Sequence, residues 1–339
     1  MRRICLLRHA RPDFPLDARP CLGRTDLPLG ALGHMQACRT AICMADLSFE
    51  AVYTSPLRRA VETAGFFSPE ARVLDDLREI DCGDWDGLDF AEIQRRWPDI
   101  YAARGNDLSL PMPNGETAEE VRERARRALN QILAETTGDV LIVSHSFVIR
   151  SLLGDYGVRL PYASLTILDE PNAVGMVPET PLTPGLADLL LTVAAPGAGV
   201  EAHCRAVERE ARRICDALPL ALDANLLSAA ALLHDVARAE PNHARTAARW
   251  LRELGYEDAA YIVQQHHDHD SAILNEGAIL YLADKCVLED RVVPFAERFA
   301  ESEERCLTDE AKEAHARRRE AAERLRDEVN ALCRTEVVQ

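Results

Sequence analysis

Ile4-Cys5-Leu6-Leu7-Arg8-His9-Ala10 and Val140-Leu141-Ile142-Val143-Ser144-His145-Ser146 are two short aliphatic runs, and each runs straight into a histidine. If both form strands lying parallel in one sheet, the two imidazoles share the carboxyl edge, which is where open α/β sheets bind ligands. Arg8, Arg58 and Arg59 add positive charge at that edge. Around these runs, aliphatic and helix-like text alternates: Gly30 to Met44, Val52 to Thr54, Leu57 to Phe67, Thr117 to Leu133 and Val148 to Leu153. Such alternation predicts an α/β domain with a mostly parallel sheet.

From Leu168 to Val200 the text becomes rich in proline, glycine and small residues, and a domain boundary with a linker is expected over 180–199. Domains are therefore expected at 1–179 and 200–335, in keeping with a chain of 339 residues at about 100–200 residues per domain. The second half reads as all-α: Glu201 to Ala217, Ala224 to Val236, His243 to Leu254, Asp258 to His266 and Ala278 to Cys286. The charged text from Glu301 to Leu332 reads as one nearly continuous solvated helix that packs a single stripe. It leaves room for a homo-oligomer contact.

Lys plus Arg number 39 against 56 acids, a formal charge of −17. That balance excludes a general nucleic-acid or anionic-membrane binder, whereas clustered arginines can still reverse the field inside one pocket. There is no run of eighteen apolar residues and no signal-peptide core, so a cytoplasmic protein is expected. The ten cysteines form no Cys-x-x-Cys pair and read as reduced structural thiols.

Leu7-Arg8-His9-Ala10, Gly23-Arg24-Thr25-Asp26-Leu27-Pro28-Leu29, Ser55-Pro56-Leu57-Arg58-Arg59-Ala60, Leu77-Arg78-Glu79-Ile80-Asp81-Cys82-Gly83, Asn114-Gly115-Glu116-Thr117 and Val143-Ser144-His145 follow one another in an order that resembles the histidine phosphatase superfamily. The resemblance implies His9 as nucleophile, Arg8, Arg59 and His145 as holders of the phosphoryl oxygens, and Glu79 as general acid and base, with no cofactor. It leaves Arg58 at the surface and makes Arg24 a candidate substrate contact. Two departures stand out. Ala10-Arg11-Pro12-Asp13-Phe14 lacks the Gly and Asn of mutase-like members, and His145-Ser146-Phe147 replaces the usual His-Gly-Gly. Both favour a phosphatase over a mutase, and the Gly-Arg-Thr-Asp-Leu-Pro-Leu text is similar to the α-ribazole phosphatase-like branch.

The helical half holds His203, His234-Asp235, His243, His266-His267, His269 and Asp284, all residue types that ligate metals. The apolar helix text Ala230-Ala231-Leu232-Leu233 delivers His234-Asp235 toward a bundle core. The order His203, His234-Asp235, Asp284 resembles the HD superfamily of metal-dependent phosphohydrolases. Ile279-Leu280-Tyr281-Leu282-Ala283-Asp284-Lys285 looks like the bacterial diadenosine tetraphosphate hydrolases within it. The resemblance implies that His203, His234, Asp235 and Asp284 hold one divalent ion, that Asp235 bridges, and that His243 and His266 hold a second. Manganese, iron, nickel or cobalt suits such a set. Arg238 is a candidate contact to substrate phosphate, whereas His267 and His269 are expected outside the ligand set, with His267 able to replace His266 on a shifted register. The expected whole is a bifunctional phosphohydrolase acting on a phosphorylated small molecule or nucleotide. Two rivals remain: a nucleotide- or metal-binding regulatory module in the second half, or a phosphoglycerate-mutase-type transferase in the first.

Overall fold

The computed structural model describes residues 2–168, 170, 172–268, 273–304 and 306–338, and the chain divides into two units between Thr180 and Pro181. The first unit runs β1 (Ile4–Arg8), α1 (Ala31–Cys43), β2 (Ala51–Thr54), α2 (Arg58–Gly65), β3 (Arg72–Val73), α3 (Phe90–Arg96), α4 (Pro98–Asn106), α5 (Ala118–Glu135), β4 (Val140–Ser144), α6 (Ser146–Leu153) and β5 (Leu165–Ile167). Its sheet has the order β3-β2-β4-β1-β5, with only β5 antiparallel to its neighbour.

Side-chain alternation along the strands explains the unbroken aliphatic text. Leu6, Tyr53 and Ile142 face Ala128, Ile132 and Ile149 of α5 and α6. Cys5, Leu7, Val52, Leu141 and Val143 face Ala60 and Ala64 of α2 on the other side. A sheet covered on both faces needs apolar residues at every strand position. The register sets Arg8 opposite Ser144, so His9 and His145 leave the same sheet edge one residue later.

The second unit contains α7 (Pro184–Ala194), α8 (Ala198–Ala217), α9 (Ala224–Leu233), α10 (His243–Glu253), α11 (Glu257–Gln264), α12 (Glu276–Asp284), β6 (Val287–Leu288), β7 (Arg291–Val292), α13 (Phe295–Glu303) and α14 (Asp309–Cys333). Two features depart from the sequence reading. The expected linker at 180–199 holds α7, whose Leu186, Ala187, Leu190 and Leu191 are buried and which packs on α9. Thr183 caps it by accepting a hydrogen bond from Leu186 N at 3.2 Å, and Pro184 occupies the first turn, where a missing N–H costs nothing. The other departure is the small antiparallel hairpin β6–β7 inside the otherwise helical half; Glu289 at its tip has φ 54°.

Helix α9 is buried almost all round from Leu227 to Leu233, which makes it the central helix of the unit and ends it at His234. The charged tail forms α13 and α14, and α14 buries the stripe Ala322, Leu325 and Val329 as its pattern predicts. Among the described residues, no helix is long and apolar enough to cross a membrane.

Candidate active site and candidate metal centre

In the first unit the structure brings His9, His145, Arg59, Arg8 and Glu79 together. The rings of His9 and His145 lie 4.9 Å apart. His9 Nδ1 sits 2.7 Å from the carbonyl of Ala10, so the hydrogen belongs on Nδ1 and Nε2 carries a lone pair that accepts from Arg59 Nε. Arg59 Nε approaches that Nε2 at 3.3 Å. Burial, reinforced by the charges of Arg59 and Arg8, holds the His9 imidazole well below its ordinary range, which keeps it neutral. Burial likewise lowers His145, whose Nε2 lies 2.7 Å from Ser55 Oγ while its Nδ1 has no hydrogen-bond partner.

The Arg59 guanidinium is held by backbone. Its Nη1 donates to the carbonyl of Thr25 and its Nη2 to that of Gly23, each at 2.7 Å. The Gly23–Thr25 loop is in turn fixed by Asp86, whose carboxylate accepts from the N–H groups of Gly23, Arg24 and Thr25 at 2.8–2.9 Å. A Cβ on Gly23 would meet the carbonyl oxygen of Ile80 at 2.6 Å, so only glycine fits. The motif thus acts through its backbone. The Arg24 side chain pairs with Asp81 at 3.1 Å and is half-exposed. Arg58 pairs with Glu62 at the surface, as expected.

Glu79 is buried, and burial raises its carboxyl above the usual range although the N–H groups of Ile80 and Phe147, and Arg59, oppose this. Its loop is clamped by Arg124 of α5, which donates to the carbonyls of Asp76, Arg78 and Glu79 and forms a two-pronged pair with Glu116. Sequence reasoning missed Arg124, which lies in an ordinary charged helix, and Tyr162, whose ring lies 3.9 Å from the Arg8 guanidinium carbon. Arg8, His9, Glu79 and Tyr162 open onto a cavity of about 710 Å³ walled by α3, α4 and the start of α6.

In the second unit the metal-ligating types converge in two groups, His203 with His234 and Asp284, and Asp235 with His243, His266 and His267. Within each group the donor atoms lie within 4.8 Å of one another. Three of the histidines are set by backbone: Nδ1 of His203, His234 and His266 each lies 2.7 Å from the carbonyl of Glu289, Ala231 and Val263 respectively. Each Nε2 lone pair therefore faces the site. His203 owes this partner to the β6–β7 hairpin. Burial brings His234 down to about 4 and His267 to about 3, so both imidazoles are neutral.

The arrangement crowds imidazole nitrogens and carboxylate oxygens together. His266 Nε2 lies 3.4 Å from Asp235 Oδ1, His203 Nε2 3.2 Å from Asp284 Oδ1, and His243 Nε2 2.7 Å from His267 Nε2. Nε2 of His234, Nε2 of His266 and Oδ1 of Asp235 are buried with no hydrogen-bond partner. Cations relieve such an arrangement, so the residues fit divalent ions. Asp235 sits between the groups, its Oδ2 3.7 Å from His234 Nε2. His267, expected outside the set, is a member of it beside His266, because the turn ending α11 points both rings the same way. His269 lies outside the described residues.

A cavity of about 340 Å³ opens beside Asp235 and Asp284 and is lined by Arg238, Lys285, His315 and Arg318 among others. Arg238 Nη1 reaches Asp235 Oδ2 at 3.3 Å and His243 Nε2 at 3.1 Å. Lys285 Nζ donates to Asp284 Oδ2 at 2.6 Å. Sequence reading passed over Lys285, His315 and Arg318, the last two because α14 was read as solvated.

Comparison with known proteins follows the same division. Residues 4–173 match the histidine phosphatase superfamily (branch 1), and residues 200–288 match the HD domain. The chain belongs to the histidine phosphatase superfamily and carries an HD domain after it; it is a phosphohydrolase. It is 36% identical over 159 residues to the uncharacterised phosphatase PhoE of Bacillus subtilis, covering 45% of this chain and 76% of that one. It is 35% identical to the bifunctional protein Rv2228c of Mycobacterium tuberculosis over 49% of this chain and 50% of that one. Among solved structures, a mycobacterial glucosyl-3-phosphoglycerate phosphatase is 27% identical with a TM-score of 0.45, covering 49% of this chain and 89% of that one. HD domains are generally metal-dependent, in keeping with the two donor groups.

Proposed function

We propose that the protein is a cytoplasmic enzyme with two phosphohydrolase sites of unrelated chemistry. In the first unit, His9 Nε2 attacks the phosphorus of a phosphomonoester and becomes a phosphohistidine as the bond to the leaving oxygen breaks. Arg8, Arg59 and His145 neutralise charge on the phosphoryl oxygens. Protonated Glu79 gives its proton to the departing alkoxide. The resulting carboxylate then takes a proton from the water that attacks the phosphohistidine, so phosphate leaves and both residues are restored. No cofactor enters this cycle. The observation that carries the reading is the anchoring of His9 Nδ1 on the Ala10 carbonyl, which makes Nε2 a lone-pair acceptor, held in place by the N–H of Arg59 Nε.

In the second unit, His203, His234, Asp235 and Asp284 hold one divalent ion, and Asp235 with His243, His266 and His267 a second, with manganese, iron, nickel or cobalt suiting the donors. Metal bound there supplies an activated water and neutralises phosphoryl charge. Arg238 and Lys285 orient the carboxylates and meet substrate phosphate, and a nucleotide-like ester or anhydride is the substrate class. Fusion of the two sites favours consecutive steps, in which the second unit opens an anhydride and the first removes the remaining monophosphate.

Phosphate release from phosphomonoesters and dinucleotides, with and without manganese, tests this for wild type, His9→Ala and Asp235→Ala. Monoester turnover lost only in His9→Ala and metal-dependent cleavage lost only in Asp235→Ala is the expected pattern. A monoester rate that responds to Asp235→Ala, with no metal-dependent product, instead makes the second unit a regulator.

A further inference from the structure

Tyr162 enters the phosphatase cavity on a turn that is sewn to the backbone of the two residues it stands beside. Ser164 N donates to the carbonyl of Pro161 at 3.3 Å and closes the turn. Ala163 N donates to the carbonyl of His9 at 3.2 Å, and Arg8 N donates to the carbonyl of Ser164 at 3.0 Å. Ala163 is buried there among Ala10, Leu29 and Ala37 with φ 55°, a left-handed conformation that a residue with a Cβ adopts only where its surroundings hold it.

This strained turn presents a ring to a cation. The Arg8 guanidinium carbon lies over the Tyr162 ring, 3.9 Å from its centroid, and the same ring is 5.7 Å, centroid to centroid, from the imidazole of His9. Arg8 Nη1 donates to the carbonyl of Leu160 at 2.5 Å, while its Nε is buried with no hydrogen-bond partner. One short segment, 160–164, therefore holds the guanidinium by one nitrogen and by its face, and leaves the Nε edge for an incoming acceptor. An aromatic face attracts a cation without occupying its N–H groups, whereas a carboxylate partner would neutralise the charge and compete with phosphate for the same fork.

We propose that Tyr162 is a positioning residue of the phosphatase site, whose ring face holds the Arg8 guanidinium in the orientation that receives the phosphoryl oxygens. It acts through Arg8 and makes no bond to the reacting group. A long, flexible side chain fixed before the substrate arrives stabilises developing charge without a cost of reorganisation during the reaction. The proposal rests on the reading of Arg8 and His9 as a phosphoryl site.

The test uses the full chain, with kcat and KM on alkyl phosphomonoesters and, independently of turnover, calorimetric affinity for inorganic phosphate after metal chelation. Tyr162→Leu is expected to lower kcat/KM and phosphate affinity about 10-fold or more, and Tyr162→Phe, which keeps the ring, to recover most of the loss. Mono-, di- and trifluorinated phenylalanines at position 162 keep the shape and progressively weaken the ring face, so affinity should fall stepwise with fluorine count. In an Arg8→Met background, adding Tyr162→Leu should change neither quantity more than about twofold, because the interaction it removes is already gone. A full additional loss in that background, equal affinities across the fluorinated series, or a change under threefold in Tyr162→Leu overturns the proposal. The same coupling seen in phosphate affinity, in a protein that hydrolyses none of the esters, upholds the positioning of Arg8 and overturns the phosphatase reading alone. A wild type that binds no phosphate overturns both.

Discussion

Arg59 places its Nε 3.3 Å from His9 Nε2 while its two terminal nitrogens are spent on the carbonyls of Thr25 and Gly23. The His9 imidazole is thus aligned by an arginine that is itself aligned by a loop. Arg59→Lys keeps the charge but cannot bridge two carbonyls and the reacting nitrogen at once. It is expected to lower kcat on phosphomonoesters by about 10²–10³-fold. Steady-state kinetics checks this, and a loss under threefold would remove Arg59 from the reaction.

The pH profile follows from opposite shifts. His9 is held below the usual imidazole range, so the proposed nucleophile stays neutral as pH falls through about 6.5, and activity there should persist. Glu79 is raised, so the protonated acid survives to higher pH than an ordinary glutamate before the alkaline limb begins. In single-turnover measurements of alcohol release, which precede phosphohistidine hydrolysis, Glu79→Gln should lose about 10²–10⁴-fold on alkyl phosphates, with a much smaller loss on 4-nitrophenyl phosphate, whose leaving group needs no proton. An equal loss on both esters in that first step would count against the acid role.

Arg124 clamps the Glu79 loop from a buried position, with Glu116 as its carboxylate partner. Removing one member of such a pair strands the other, at about 3–5 kcal/mol. Arg124→Met should destabilise the first unit by that order in denaturant unfolding and lower kcat more than it raises KM.

The strand-end histidines and the His234-Asp235 pair were legible because burial writes itself into sequence: unbroken aliphatic text before His9 and His145, and an apolar helix before His234. What escaped was of other kinds. Arg24 looked important because side chains are visible in sequence, whereas the carbonyls of Gly23 and Thr25, which hold Arg59, are not. His315 and Arg318 reach the second cavity from a helix whose other faces are solvated, so their charge resembled surface text. His203 depends on a hairpin too short for any periodicity.

The unpartnered donors of His234, Asp235 and His266 predict that divalent metal stabilises the second unit. Manganese at 100 times its dissociation constant should add about 2.7 kcal/mol, seen as a rise in the thermal midpoint. Asp235→Asn, which weakens both donor groups, should abolish the rise. Equal shifts in wild type and variant would place the bound metal elsewhere.

Pro184 was read as a linker signal, yet proline favours the first turn of a helix as much as it breaks an interior, and the Leu186-Ala187-Leu190-Leu191 spacing buries one face of α7 on α9. A fragment beginning at the expected boundary, residue 200, lacks this helix and exposes the α9 surface beneath it. It should therefore be less stable than a fragment beginning at Pro181, and Leu190→Ala in the full chain should cost about 2–5 kcal/mol in the second unit. Limited proteolysis with urea unfolding of the two fragments decides the matter. Equal stability would return 180–199 to the status of a linker.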